Sequence, residues 1–451
     1  MRFLKRRPDT AYLDTWLWIP KRLLSVSSQK ASLEFALPRG NSIQMWRDSP
    51  HHLGVPRGMI PLNEVRCEVV DLTPQFVDAG IRSKVTLDGL DPSKSTQRDA
   101  FQDLSKSRGG ILNLACGAGK TVIMLHAAAH FSKPTLIISH QEEILEQWRG
   151  EIDSTLSVDG EVGWVQGRPD KWNWRSPICL AMIRSLAKYR DEVPDQMKTH
   201  FGTIIWDEAH HLSAPEFCKT ADLFPGNRYG ATATIERGDG SEIIYLRHIG
   251  GVIHENLDQD LMPRIVWLRS PIRVNRSVPE VRHAISDSSG NTHLKKLLIH
   301  VGCEEEELHF VGQHIQEAAG AGRKILALSS SVRQLELLHE AFPSSGLITG
   351  NVKGSDARRS ALRDHKLCFG TVDLAKEALN DRALDCLFLL TEFVKDGMLQ
   401  QAIGRIQRIM DGKKNPTVVV IRHHRVRQLE KMANKMETYF SKQGFPMEVA
   451  A

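Results

Sequence analysis

The stretch IIWDEAHHL, residues 204–212, places two carboxylates, Asp207 and Glu208, at the end of an apolar run, with His210 and His211 just beyond. Three chemistries suit such a group: a metal site, an acid/base pair, or the hydrolytic edge of an ATP-driven machine. In the third, one carboxylate holds Mg2+ through water while the next polarises an attacking water. A zinc site would want histidines at i and i+4 with an acid between them. Here they are adjacent, and on a strand or turn they point different ways. His210 therefore reads as a link from a nucleotide site to a neighbouring domain, and His211 as structural.

A second stretch favours the ATP reading. LACGAGKT, residues 114–121, follows an apolar run and opens a helical one, which is the setting a phosphate-binding loop requires. Gly117 and Gly119 let backbone N–H groups approach phosphate oxygens with no Cβ in the way. The helix N-terminus adds partial positive charge. Lys120 would reach the β- and γ-phosphates, and the Thr121 hydroxyl would join Asp207 on Mg2+. The full loop pattern has glycine where this chain has Leu114. A third stretch, QAIGRIQR at 401–408, carries Arg405 and Arg408 three apart, hence on one helix face. Such a pair can serve as arginine fingers on a phosphate bound by another domain.

Elements that could hold these groups are visible in the pattern. Residues 1–86 read as short strands among turns, with Trp16, Trp18 and Trp46: a small β-rich accessory or DNA-binding domain. From about residue 95, the runs 109–115, 134–140, 202–209 and 228–234 lack polar alternation, as strands buried on both faces of a parallel sheet do. The runs 323–331, 346–350, 366–372, 385–393 and 416–422 repeat the theme. Two tandem α/β domains follow, 87–258 and 259–451. The proline-bearing segment 259–300 reads as the connection into the second domain, and the tail as an amphipathic helix packed on it.

Composition sets limits. Lys and Arg number 59 against 54 for Asp and Glu, a net charge of +5 that permits a nucleic-acid partner without demanding one. No apolar run is long enough to span a bilayer, and Lys5-Arg6-Arg7 followed by Pro8-Asp9 is no signal peptide. The seven cysteines form no C-x-x-C pair, so reduced thiols in a cytoplasmic protein, bacterial or in a phage-infected host, are expected.

Taken in order, these stretches resemble the superfamily 2 helicases and translocases over roughly residues 95–430. GAGKT looks like motif I, DEAH motif II, TAT (232–234) motif III and QAIGRIQR motif VI. TATIERGDG is similar to the TATPxRxDG of the branch containing the repair helicase XPB and the phage branch-migration helicase UvsW. The resemblance implies two RecA-like domains, parallel sheets with flanking helices, with ATP and Mg2+ as cofactors. It extends the nucleotide site to Gln97 as the adenine reader, Cys116 and Ala118 in the loop, and Asn380 in motif V, where relatives carry Asp. It adds Gln401 to Lys120, Glu208, Arg405 and Arg408 as catalytic residues. It places His140, Ser185, Arg237, Ser330, Gly350 and Thr371 against nucleic acid.

The reading is an ATP-dependent, monomeric DNA helicase or translocase. Its partner would be single-stranded and branched duplex DNA ahead of RNA, without a membrane. Recombination, repair or replication-fork processing would be its setting. The alternatives are the motor subunit of a restriction-type complex and an ATP-gated RNA helicase or clamp.

Overall fold

The apolar runs become the strands of two parallel sheets in a computed structural model. It describes residues 7–36, 42–85, 87, 96–115, 118–232, 235, 239–256, 261–287, 290–350, 355–372, 381, 383–392, 399, 402–404, 406–407 and 412–450. The chain divides into two compact units, Met1–Leu257 and Asp258–Ala451.

The first unit opens with short strands: β1 (Ala11–Leu13), β2 (Leu17–Pro20), β3 (Glu34–Ala36), β4 (Ser42–Gln44), β5 (Arg47–Asp48), β6 (His52–Val55), β7 (Val69–Asp71) and β8 (Ile81–Ser83). Five of them form a sheet in the order β5-β6-β2-β1-β7, and β3 pairs with β4. This module is fastened to the rest of its unit by polar contacts in a buried seam. Trp16 is buried, donates its indole N–H to Asp222 at 3.2 Å and meets the His248 ring edge-on. The fully buried Arg228 donates to Thr15 O at 2.8 Å, and Arg57 reaches the carbonyls of Pro225 and Gly226. Trp18 donates to Asp14, Lys21 pairs with Asp48, and Arg22 pairs with Asp9. Trp16, Trp18, Lys21 and Arg22 are thus engaged within the protein.

The main sheet of this unit contains β9 (Gly109–Leu114), β10 (Thr135–Ser139), β12 (Gly163–Val165), β13 (Ile178–Met182), β14 (Thr203–Asp207), β15 (Asn227–Thr232) and β16 (Val252–Asn256), while β11 (Leu156–Val158) pairs with β8. All seven run parallel in the order β12-β13-β10-β14-β15-β9-β16. β10 and β15 are buried along almost their whole length, which explains the missing alternation.

The second unit repeats this sheet. Its strands are β17 (Arg264–Arg269), β18 (Ile325–Ser329), β19 (Gly346–Ile348), β20 (Leu367–Thr371), β21 (Cys386–Leu389), β22 (Thr417–Arg422) and β23 (Met447–Ala450), all parallel, in the order β19-β20-β18-β21-β22-β17-β23. Numbered from the first strand of each sheet, the two orders are identical.

Segment 259–300 is no mere connection. It holds β17, an interior strand between β22 and the edge strand β23, and the helices Pro279–Ile285 and Leu294–Gly302. Pro263 and Pro271 obscured it in sequence, but both flank the strand, where a missing N–H leaves the ladder intact. The tail does form a helix, Arg427–Lys442, and then returns as β23 beside β17. Among the described residues no helix is long and apolar enough to cross a membrane.

Candidate nucleotide site and nucleic-acid edge

In open parallel sheets ligands bind beyond the carboxyl ends of the strands, and the predicted nucleotide residues gather there. Gly119 caps the helix Lys120–Phe131 in a left-handed conformation, φ +82°. An added Cβ would stand 2.3 Å from the Gln97 amide nitrogen, and the positive φ itself favours glycine here. Gln97, in the helix Thr96–Lys106, donates through that nitrogen to Ala118 O at 3.0 Å. Its Oε1 is buried without a hydrogen-bond partner, an acceptor left for a ligand. Lys120 lies at the end of β9 and donates to Leu114 O at 3.0 Å. Thr121 follows it in the first helical turn. Cys116 and Gly117 lie outside the described residues.

Asp207 is the last residue of β14, two strands from β9. Its Oδ2 accepts from the Trp148 indole N–H at 2.8 Å, and its Oδ1 accepts from the Glu208 backbone N–H at 3.0 Å. Burial raises the Asp207 carboxyl to about 6, and the charge on Glu208 acts the same way, against Trp148 and Lys120. Burial also pushes Glu208 upward, but the His210 hydrogen bond and the Lys120 charge outweigh it and hold that carboxyl at about 2. The charge of Asp207 is thus the less compensated of the two, and a cation is most favourable beside it. A left-handed loop glycine, an ammonium, a helix N-terminus and an under-compensated carboxylate suit Mg-nucleotide. Bound Mg2+ would supply Lewis-acid charge at the phosphates.

Glu208 departs from ordinary backbone, with φ +48° and ψ +56°. Left-handed geometry is uncommon for a residue with a side chain and costs of order 1–3 kcal/mol, so it persists only where surroundings enforce it. The strain turns the chain from β14 into the short helix Ala209–Ser213. His210 Nδ1 lies 3.3 Å from Glu208 Oε2 and 3.3 Å from Thr232 Oγ1 at the end of β15.

The nucleic-acid candidates occupy the same edge, further along each sheet. His140 follows β10, and its ring stacks on His211 at 3.6 Å. Ser185, in the short helix after β13, accepts from Gly167 N at 3.0 Å. In the second unit Ser330 follows β18 and bonds Thr391, Gly350 follows β19, and Thr371 ends β20. The shared strand order puts Ser330 where His140 stands, and Thr371 beside the Ser185 position. It also matches Gly350 to Gly167, a left-handed glycine after β12 that no sequence motif singled out. Trp148 was missed as well; its helical spacing signals burial, not a polar contact. Arg237, Asn380, Gln401, Arg405 and Arg408 lie outside the described residues.

Among the described residues, the second sheet has no glycine–lysine turn after its leading strand β17. Just beyond β21 and β22, the strands that match β14 and β15, it has Glu392 and His423. The buried His423 ring lies 2.9 Å from Glu392 and 3.1 Å from Glu307, which also accepts from Ser270 at 2.5 Å. Burial lowers the His423 proton affinity, but the two carboxylates overcome it and raise the group to about 10.

Two parallel sheets of one strand order, the first with a phosphate loop and a carboxylate pair at its carboxyl edge, define the class. In these features the chain is similar to the superfamily 2 helicases and translocases. Residues 90–237 match the type III restriction enzyme, res subunit family. The chain is similar to a putative ATP-dependent RNA helicase of Acanthamoeba polyphaga mimivirus, 26% identical over 77% of this chain and 66% of that one. It is also similar to the DNA 3'-5' helicase XPB of Mycobacterium tuberculosis, 35% identical over 32% of this chain and 27% of that one. It thus spans just under two thirds of the first relative and about a quarter of the second. In fold it resembles yeast Dbp5 bound to RNA and ADP-BeF3, with a TM-score of 0.55 at 10% identity, covering 79% of this chain and 89% of that one.

Proposed function

We propose that the chain hydrolyses ATP to translocate along DNA and to unwind or remodel forked or branched DNA. One observation carries the reading: Lys120, Asp207 and Glu208 converge at one sheet edge, with the Glu208 backbone strained to present its carboxylate. Asp207 and Thr121 would hold Mg2+, Lys120 the phosphates, and Gln97 the base. Glu208, ionised and oriented by His210, would take the proton of the attacking water. Gln401, Arg405 and Arg408 would complete the catalytic set, the arginines being suited to stabilise charge that develops on the transferred phosphoryl. His140, Ser185, Ser330, Gly350 and Thr371, with Arg237, would track the strand mainly through its phosphates. The XPB relative favours DNA, whereas the name of the mimivirus relative favours RNA. The test is ATP turnover with single-stranded, duplex, forked and four-way DNA and with RNA, alongside strand displacement on each. Forked or four-way DNA should stimulate most. RNA-selective stimulation would replace DNA as the track, and binding of either without displacement would make the chain a clamp.

A further inference from the structure

Between the nucleic-acid edge and the catalytic carboxylate runs an unbroken line of aromatic rings. His140, at the carboxyl end of β10, stacks on His211 with centroids 3.6 Å apart and planes at 30°. His211 meets His210 at 4.3 Å and 37°. His210 Nδ1 is 3.3 Å from Glu208 Oε2. We propose that these three histidines form a mechanical relay through which a strand engaged at His140 sets the Glu208 carboxylate, with His211 as the positioning residue at its centre. The inference rests on the function proposed above, because it needs both a strand at His140 and water activation at Glu208.

Three features support it. Ring contacts this close leave no slack, so a shift of one ring must displace the next. Glu208 sits on strained backbone, φ +48°, and is held in place by its neighbours, so a small displacement of His210 changes its presentation. His210 is also tied to Thr232 at 3.3 Å, which joins the relay to the end of the adjacent strand β15. His211 lies between the two functional rings, stacked on His140 and tilted against His210.

The test uses the full chain and two variants, His211→Ala and His211→Phe. Turnover is measured without nucleic acid and with a saturating single-stranded DNA or RNA oligonucleotide, and oligonucleotide binding is measured by fluorescence anisotropy. His211→Ala should keep its KM for ATP and its oligonucleotide affinity. It should lose stimulation by roughly 5- to 150-fold, the usual range of coupling between sites. His211→Phe, whose flat ring preserves the stack, should recover most of that stimulation. Full stimulation of His211→Ala would overturn the relay. So would equal loss of free and stimulated turnover, or a phenylalanine variant no better than alanine when both are folded. If the unaltered protein is stimulated by no nucleic acid at all, the proposed function fails first, and that outcome is distinct from a stimulated protein indifferent to His211.

Discussion

Replacing Trp148 by Phe should weaken the response to Mg2+ without dismantling the first unit. Trp148 is 2% exposed, and its ring packs in the cluster that includes Leu145, Ile152 and Ile137. Phenylalanine keeps much of that contact and loses the indole N–H. That N–H donates to Asp207 Oδ2 at 2.8 Å. A hydrogen bond to a charged group is worth about 1.5–3 kcal/mol, or roughly 10- to 150-fold in an equilibrium constant. Partners that orient a metal ligand typically contribute about 10- to 100-fold to metal affinity. Turnover followed against free Mg2+ at fixed ATP should therefore show a half-saturating concentration about 10- to 100-fold higher, with the rate largely recovered at saturation. A thermal melt establishes that the variant is folded. A folded variant with an unchanged Mg2+ midpoint, or with a depressed rate that no Mg2+ restores, would refute Asp207 as the ligand that Trp148 orients.

Lys120→Ala should abolish turnover, and Glu208→Gln should bind ATP while losing on the order of 10²–10⁴-fold in hydrolysis, measured by nucleotide binding and phosphate release. Arg408→Ala should leave nucleotide binding intact and cut turnover by roughly 10³–10⁵-fold, with no rescue by Arg408→Lys because an ammonium lacks the planar fork. Two buried histidines should shape stability against pH in opposite directions. Burial and the Arg228 charge lower His248 to about 3, so between about 3 and 6.5 the unfolded chain binds the proton that the native one refuses, and stability falls with acid. His423, raised to about 10, keeps a proton that the unfolded chain releases above about 6.5, so its contribution is lost as pH climbs toward 10. Thermal melts of His248→Gln and His423→Gln should flatten the acid and alkaline limbs respectively; an unchanged limb refutes that assignment. A truncation starting near Asp88 strands Arg228 without its Thr15 acceptor and uncovers Ile244. It should precipitate or lose ATPase activity on every substrate, whereas intact single-stranded-DNA-dependent turnover would show that the module is separable.

The fold was legible where burial is total. Strands such as β10 and β14 carry unbroken apolar runs because helices cover both sheet faces, and no loop composition imitates that. It was illegible where a strand is bracketed by prolines, as β17 is, or follows a long helix, as β23 does. Linear order also hides which strands are neighbours. β9 and β14 are 94 residues apart at their first residues, Gly109 and Thr203 being separated by four other strands in the chain but by one in the sheet. The ionisable groups of the nucleotide site announced themselves through type and spacing. What holds them did not. Trp148 and the histidine stack depend on side chains from different elements meeting, and the strain at Glu208 belongs to a turn whose sequence carries no glycine.

The repeated strand order gives both units the same carboxyl edge, which the two sequences furnish differently. A parallel sheet with this winding always exposes loops at the same carboxyl edge, so both units offer equivalent places beyond their strands. In the first, the loop after the leading strand β9 carries a left-handed glycine and a lysine, and the neighbouring edge positions carry Asp207 and Glu208 with their charges in use. In the second, the leading strand β17 is followed by Ser270, which donates to Glu307, and the matching edge positions are closed off by Glu392 and His423 in a buried ion cluster. An ion cluster of that kind is costly to break because it leaves an uncompensated buried charge, so the second sheet holds its edge rigid where the first must admit a ligand. Further along the sheets the two edges stay alike: Ser330 follows β18 as His140 follows β10, and Gly350 follows β19 as Gly167 follows β12. Such pairing suits a strand tracked by the same kind of backbone contact on each unit, and it makes Gly167 the position at which the first unit's grip remains to be probed.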